Sequence, residues 1–303
     1  SLMAGAKKLT TNLLVAQEPF DYFEPTAAAI EEALTLASQA DKVVVALGET
    51  DWMSGEAASR SDIRLPEKQL AVVAQIIEKN PNVVVTVYSG RPLDLQGIDV
   101  AKGIVQAWQP GTEGGNALAE ILWGQYNPSG RLSMSFPETV GQVPIFYNVD
   151  NTGRPYESAP EEKYVSKYLD VSNYAKYPFG FGLSYSHFSY QPIQLSALTF
   201  TKEQPITVSV LVRNDSPIAG EETVQFYVRD LVGQVVRPIK ELKDFQKVWL
   251  EPKEEKEVQF LLSEDMVRYV HSDNQVTSDA GEFIVMIGGN SRDVQTATVT
   301  LNE

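Results

Sequence analysis

Apolar positions in the first part of the chain follow two patterns that alternate. Over Thr26–Ala40 they recur at three and four residues, the period of a helix with one buried face. Over Asp41–Leu47 they run almost without interruption, as in a strand buried on both faces. The pair then repeats. Leu65–Asn80 reads as a helix, with Pro66 preset for its first turn and Asn80-Pro81 as its stop, and Asn82–Tyr88 as a strand. A shorter strand, Gly103–Trp108, and a third helix, Gly114–Trp123, follow. Helices interleaved with apolar strands predict right-handed βαβ units and a mostly parallel sheet covered on both faces, a three-layer α/β/α sandwich over residues 1–135.

Past residue 190 the period changes to two. Runs beginning at Ile206, Glu222, Lys256 and Glu282 alternate apolar and polar residues and are separated by turn-forming clusters such as Asn214-Asp215-Ser216-Pro217. Residues 191–303 are therefore expected to form a small antiparallel β-sandwich, which makes the chain α/β plus all-β. Residues 136–190 show weak periodicity but many Gly, Pro, Tyr and Phe. Their aromatic content predicts a connection wrapped over the surface, because disordered linkers are poor in such rings. The rings from Tyr164 to Tyr190 could hold sugars, but packing accounts for them more economically.

Composition narrows the chemistry. The 303 residues are 43% hydrophobic and 21% charged, ordinary for a globular protein, with a formal net charge of −15. With no Lys/Arg run, this charge would repel a nucleic-acid backbone, so no nucleic-acid partner is expected. No apolar run approaches the roughly 20 residues that cross a bilayer, so no membrane span is expected. The start, Ser1-Leu-Met-Ala-Gly-Ala-Lys-Lys, lacks a secretory apolar region and reads as cut or engineered. There are no cysteines and two histidines, His187 and His271, which leaves little material for a zinc site or a histidine triad. No metal or cofactor is expected, and carboxylates must carry any acid or base work. The compartment is left open.

The best-placed carboxylate follows the first strand. Val43–Gly48 runs into a polar loop, Glu49-Thr-Asp-Trp-Met-Ser-Gly-Glu56-Ala-Ala-Ser-Arg60-Ser-Asp62. Loops at the C-terminal ends of parallel strands converge on the crevice where such sheets bind ligands. Glu56 is the main candidate for catalysis, against the alternative of a solvated surface residue paired with Arg60 or with nothing. Arg60 and Asp62 are expected to anchor the loop by a salt bridge, a role preferred over sugar contact for Arg60. Trp52 is a candidate for stacking on substrate or for a half-buried anchor. Glu49 is the rival acid, although a carboxylate so close to the sheet more often binds backbone amides. Glu113, in Gly111-Thr-Glu-Gly-Gly, could suggest an anion cradle. It lacks the lysine of a P-loop, so glycines for close helix packing and an acidic helix start are preferred.

Three segments carry a family resemblance. Ser54-Gly-Glu-Ala-Ala-Ser-Arg-Ser-Asp-Ile-Arg-Leu-Pro-Glu-Lys-Gln69 resembles the acid/base loop of glycoside hydrolase family 3, in its bacterial β-glucosidase branch. Pro110–Ala117 with Leu122–Pro137 resembles the signature of that family's second domain. Tyr177-Pro-Phe-Gly-Phe-Gly-Leu-Ser-Tyr185 resembles the lead into its fibronectin type III-like domain. The resemblance covers nearly the whole chain from about residue 5. It implies that the sandwich is fibronectin type III-like and that Glu56 is the general acid/base of a retaining β-glucosidase, with a β-linked oligosaccharide or glycoside as substrate. It also implies an N-terminal (β/α)8 barrel with the aspartate nucleophile, which these residues do not include. The chain is accordingly expected to be a C-terminal fragment, inactive alone, since retaining hydrolysis needs two carboxyl groups about 5 Å apart. An acid working near neutral pH must stay protonated, which desolvation against Trp52 and Met53 and a negative nucleophile opposite would favour. The alternatives are a β-xylosidase of the same family, or a non-catalytic carbohydrate-binding or interaction module. Against the binding module, the sandwich's one tryptophan, Trp249, lies beside Leu250 in an alternating strand.

Overall fold

The computed structural model describes residues 1–17, 21, 24–156 and 159–303, so residues 157 and 158 of the predicted connection lie outside it. The chain divides into two compact units, residues 1–126 with 136–143 and residues 127–135 with 144–303.

The first unit has the alternation read from the sequence. Its elements are α1 (Leu2–Leu9), α2 (Ala27–Gln39), β1 (Val43–Gly48), α3 (Glu67–Lys79), β2 (Val83–Tyr88), β3 (Gly103–Gln106) and α4 (Gly114–Leu122). The three strands are parallel in the order β1-β2-β3, with Val43 beside Val83 and Val84 beside Gly103. β2 is central and carries the core: Val83, Val85, Thr86 and Val87 are fully buried. β1 departs from the expected burial on both faces. Its only strand partner among the described residues is β2, and Val44 is 38% exposed.

Helix boundaries follow local chemistry. The Thr26 hydroxyl accepts from the Ala29 N–H at the start of α2, leaving one fewer bare donor there. Asn80 ends α3, and its buried amide donates to the carbonyls of Ala37 and Ala40, tying the close of α3 to the close of α2. α1, which the sequence did not announce, packs on α4 through glycines. A Cβ on Gly5 would lie 2.2 Å from the Gly115 oxygen, and one on Gly115 would lie 2.3 Å from the Ser1 oxygen. These approaches explain the glycines after Glu113 as helix packing, in agreement with the preferred reading.

The second unit is a β-sandwich, antiparallel except where β6 (Thr199–Phe200) runs parallel to β14 (Val294–Leu301). One sheet has the order β10-β7-β4, with β5 also on β7; the other has the order β6-β14-β13-β8-β9. The strands are β4 (Phe188–Tyr190), β5 (Gln194–Leu195), β6 (Thr199–Phe200), β7 (Ile206–Asn214), β8 (Gly220–Asp230), β9 (Glu241–Leu250), β10 (Glu255–Leu262), β13 (Gly281–Gly288) and β14 (Val294–Leu301), with β11 (Tyr269–Val270) and β12 (Val276–Thr277) forming a separate hairpin. The inner faces supply an apolar core in which Phe226 stacks on Phe260, ring centroids 5.0 Å apart.

β8 breaks the predicted alternation, because its polar face is buried too. On that face Thr223 and Gln225 are only 7% and 2% exposed. The aromatic-rich segment covers this face. Gln225 donates to the Gly180 and Gly289 carbonyls, and Tyr147 stacks on Phe179 and meets Tyr227 edge-on, while on the other face of the strand Arg131 pairs with Glu222 at 2.6 Å. Tyr164, in the same segment, is 70% exposed.

Candidate active site

The site begins where β1 stops. Gly48 has φ 145°, and a Cβ there would sit 1.9 Å from the Tyr88 oxygen, so only glycine lets the chain leave the sheet here. Gln69, buried on α3, accepts from the Gly48 N–H and donates to its carbonyl, both at 3.0 Å. The next residue, Glu49, takes its N–H to the Tyr88 oxygen at 2.8 Å. The strand end is held from both sides before the loop starts.

Glu49 is the buried charge of the site, its side chain 1% exposed. Arg60 Nη1 lies 2.9 Å and Arg91 Nε 3.0 Å from Oε1, and the Gly90 N–H donates to Oε2 at 3.2 Å. An unpaired carboxylate in this position would cost several kcal/mol, and the two guanidiniums remove most of that cost. The arginines then reach onward. Arg91 Nη2 donates to the carbonyls of Met53 at 2.5 Å and Ala58 at 2.7 Å, while Arg60 Nη2 donates to the Arg64 carbonyl at 2.8 Å. Gly90 also permits a close approach, since a Cβ there would meet Ser54 Oγ at 1.9 Å.

Between these anchors the loop turns outward. Gly55 has φ 122° and Ala57 φ 59°, so Glu56 is flanked by two residues with left-handed backbone. For alanine that conformation costs about 1–2 kcal/mol, which the clamped surroundings sustain. Glu56 is exposed, and no described residue hydrogen-bonds to or pairs with its carboxylate. Trp52 is 84% exposed. The desolvation expected from Trp52 is therefore not supplied within this unit.

Two expectations change. The Arg60–Asp62 salt bridge does not form. Arg60 turns inward to the buried Glu49, and Asp62 pairs instead with Arg64, Oδ2 to Nη2 2.6 Å, at a site where both side chains are more than half exposed. Hydrogen bonds from the Arg64 side chain and then its backbone N–H lower the Asp62 pKa to about 2. The Arg60 guanidinium is thus committed to Glu49 and to a carbonyl. Glu49, the rival acid, has both oxygens engaged by donors.

Arg91 is the residue that sequence reasoning passed over. It was legible in outline: Ser89-Gly-Arg-Pro follows the strand paired in parallel with β1, so Arg91 had to emerge at the same sheet edge as Glu49. Glu113 is exposed at the N-cap position of α4, where it accepts from the Asn116 amide at 2.5 Å. Among the described residues, no cluster of His, Asp or Glu could hold a metal ion. On β9, Phe245 and Trp249 are about half exposed, and the Trp249 indole N–H donates to Glu251 at 2.8 Å. What the arrangement offers chemically is an unpartnered, solvent-facing carboxyl on a loop clamped on either side of it, able to give and take a proton.

Comparison with known proteins supplies the context. Residues 1–185 match the family described as Glycosyl hydrolase family 3 C-terminal domain, and residues 222–291 match the Fibronectin type III-like domain. The chain is 39% identical to the periplasmic beta-glucosidase of Salmonella typhimurium over 90% of its own length and 36% of that protein's. It is 36% identical to thermostable beta-glucosidase B of Acetivibrio thermocellus and 34% identical to a beta-xylosidase of Formosa agariphila. It thus spans about a third of the length of the curated relatives it matches. Among solved structures, the beta-glucosidase from Listeria innocua in complex with isofagomine superposes with a TM-score of 0.93 at 36% identity, covering 100% of this chain and 42% of that one.

Proposed function

This chain belongs to glycoside hydrolase family 3, and we propose that it supplies the general acid/base for retaining hydrolysis of terminal β-D-glucosyl residues from oligosaccharides or glycosides. Glu56 protonates the departing glycosidic oxygen as the anomeric carbon is attacked, then takes a proton from the water that releases the sugar from the covalent intermediate. The attacking carboxylate belongs to an N-terminal barrel outside these 303 residues, a partner within the longer protein. The chain by itself, holding one of the two carboxyls, is expected not to hydrolyse glycosides. Trp52, four residues before Glu56 in the same loop, stacks on the sugar in this reading, which its 84% exposure supports.

One observation carries this reading: an unpaired, solvent-facing glutamate stands on a clamped loop at the C-terminal edge of a parallel sheet. The similarity to beta-glucosidases in both sequence and structure supports glucoside as substrate. The 34% identity to a beta-xylosidase supports the second reading, a β-xylosidase, and p-nitrophenyl β-xyloside against the β-glucoside separates the two.

The test is Glu56→Ala in the longer hydrolase. Turnover of p-nitrophenyl β-glucoside should fall about 10²–10⁴-fold, and azide should restore it with formation of the β-glucosyl azide. Unchanged turnover removes Glu56 from the mechanism.

A further inference from the structure

The loop that presents Glu56 is held by more than its own backbone, and the way it is held has a chemical consequence. Arg91 Nη2 bridges two carbonyls, Met53 on one side of Glu56 and Ala58 on the other, while its Nε is fixed on the buried Glu49. Glu49 in turn follows Gly48, whose backbone is clipped by Gln69 from α3. An unbroken run of short polar contacts therefore leads from the sheet to the two sides of the Glu56 turn. A surface loop needs no such investment merely to stay folded: buried ion pairs add little net stability, yet they fix one geometry because every alternative strands a charge.

We propose that Glu49 and Arg91 are positioning residues for proton transfer, a desolvated clamp that sets where the Glu56 carboxyl stands relative to the leaving-group oxygen. This rests on Glu56 being the acid/base. The clamp requires arginine specifically. A lysine keeps the charge, but its single ammonium cannot hold Glu49 and both carbonyls in one plane, so the loop would relax around Glu56. Misplacement by about 1 Å is enough to cost roughly 100-fold in a step that depends on alignment.

The experiment compares two substrates on Arg91→Lys in the full-length hydrolase. Phenyl β-glucoside has a poor leaving group and needs the proton. 2,4-Dinitrophenyl β-glucoside departs without it. Loss of positioning predicts that kcat/KM falls about 100-fold for the first and less than about 3-fold for the second. Because both rates are read on one preparation, their ratio does not depend on the fraction of enzyme that is folded. A purely structural role for Arg91 lowers both rates together or lowers only thermal stability, and either result overturns the proposal. If Arg91→Lys yields no soluble enzyme, Glu49→Gln, which loosens the same guanidinium, is read by the same ratio. Glu56→Ala run in parallel separates the two claims. If that variant shows no leaving-group dependence, the acid/base assignment itself fails. If it does and the clamp variants do not, only the positioning claim fails.

Discussion

The sheet edge of the first unit and the core of the second bury opposite kinds of matter. In the sandwich, Val208, Phe226 and Leu262 are fully buried, and Phe226 lies flat on Phe260. At the sheet edge the most buried side chain of the loop is a carboxylate held by two guanidiniums, and the backbone passes through left-handed conformations at Gly48, Gly55 and Ala57. Apolar burial is worth roughly 25 cal/mol per Å² whatever its detailed shape, so the sandwich gains stability and tolerates modest repacking. A desolvated ion cluster gains little on balance but is costly to break, so the edge gains a defined shape. The two regions teach that stability and geometry are stored separately here. Substitutions should reveal it by affecting either the folding equilibrium or the chemistry per folded molecule.

Phe226→Ala gives the largest expected effect on the stability side. It leaves a cavity facing Phe260 in a core with no exposed wall, and should cost about 3–5 kcal/mol in chemical denaturation of the second unit. In the longer hydrolase, the rate per folded molecule at low temperature should equal that of the parent. A large change in that rate would mean that the sandwich is not energetically separate from the chemistry, and the comparison would break.

How much of each region could be read in the sequence follows from the same distinction. Apolar periodicity is a direct imprint of burial, so β2, α3 and the strands β7, β8, β10 and β13 were found near their observed bounds. The loop was found as well, because Glu56 sits among residues that neither a strand nor a helix wants. Partnerships between charges leave no period. Arg60 could be seen to need an anion, and Asp62, two residues away, was the expected one; the partner it takes is Glu49, eleven residues away and buried. The polar face of β8 was misjudged for a related reason. Alternation says which residues face the core, but it cannot say that Gly180 and Tyr147 return to cover the other side. α1 escaped because it is only eight residues long, and the packing partner that justifies Gly5 lies at Gly115.

Glu222 sharpens the comparison from within the sandwich, being a buried charge in the apolar region. Burial pushes its carboxyl above the usual range, against the opposing pull of Arg131 and the Tyr190 hydroxyl. A carboxyl whose folded pKa is raised contributes stability that is full below its unfolded pKa and is lost as pH rises through the folded value. Glu222→Gln keeps the side-chain shape but removes the titrating proton, so the stability linked to that proton is lost with it. Its deficit relative to the parent should be largest near pH 4 and shrink toward neutrality. Denaturation midpoints measured across that range check the sign. A deficit that grows with pH would show that ion pairing, not desolvation, governs this group.

The smallest expected effect is the most discriminating. Asp62 has its carboxyl pKa lowered to about 2 and lies close in sequence to Glu56, but its partner is the exposed Arg64 rather than the buried cluster. Because its pKa is depressed, the stability it adds is present above its unfolded pKa and is lost only as pH falls toward 2. Solvent screening keeps that contribution below about 0.5 kcal/mol at neutral pH. Asp62→Asn should consequently leave the melting temperature of the longer hydrolase within about 1 °C of the parent and leave the phenyl to dinitrophenyl rate ratio unchanged. Its carboxylate accepts from the Arg64 backbone N–H at 3.0 Å, so a neutral amide oxygen can keep that turn. If Asp62→Asn moved the rate ratio as far as the Arg91 variant is expected to, strong pairing anywhere in the loop would suffice to place Glu56. The distinction between buried clamp and exposed pair would then carry no chemical meaning.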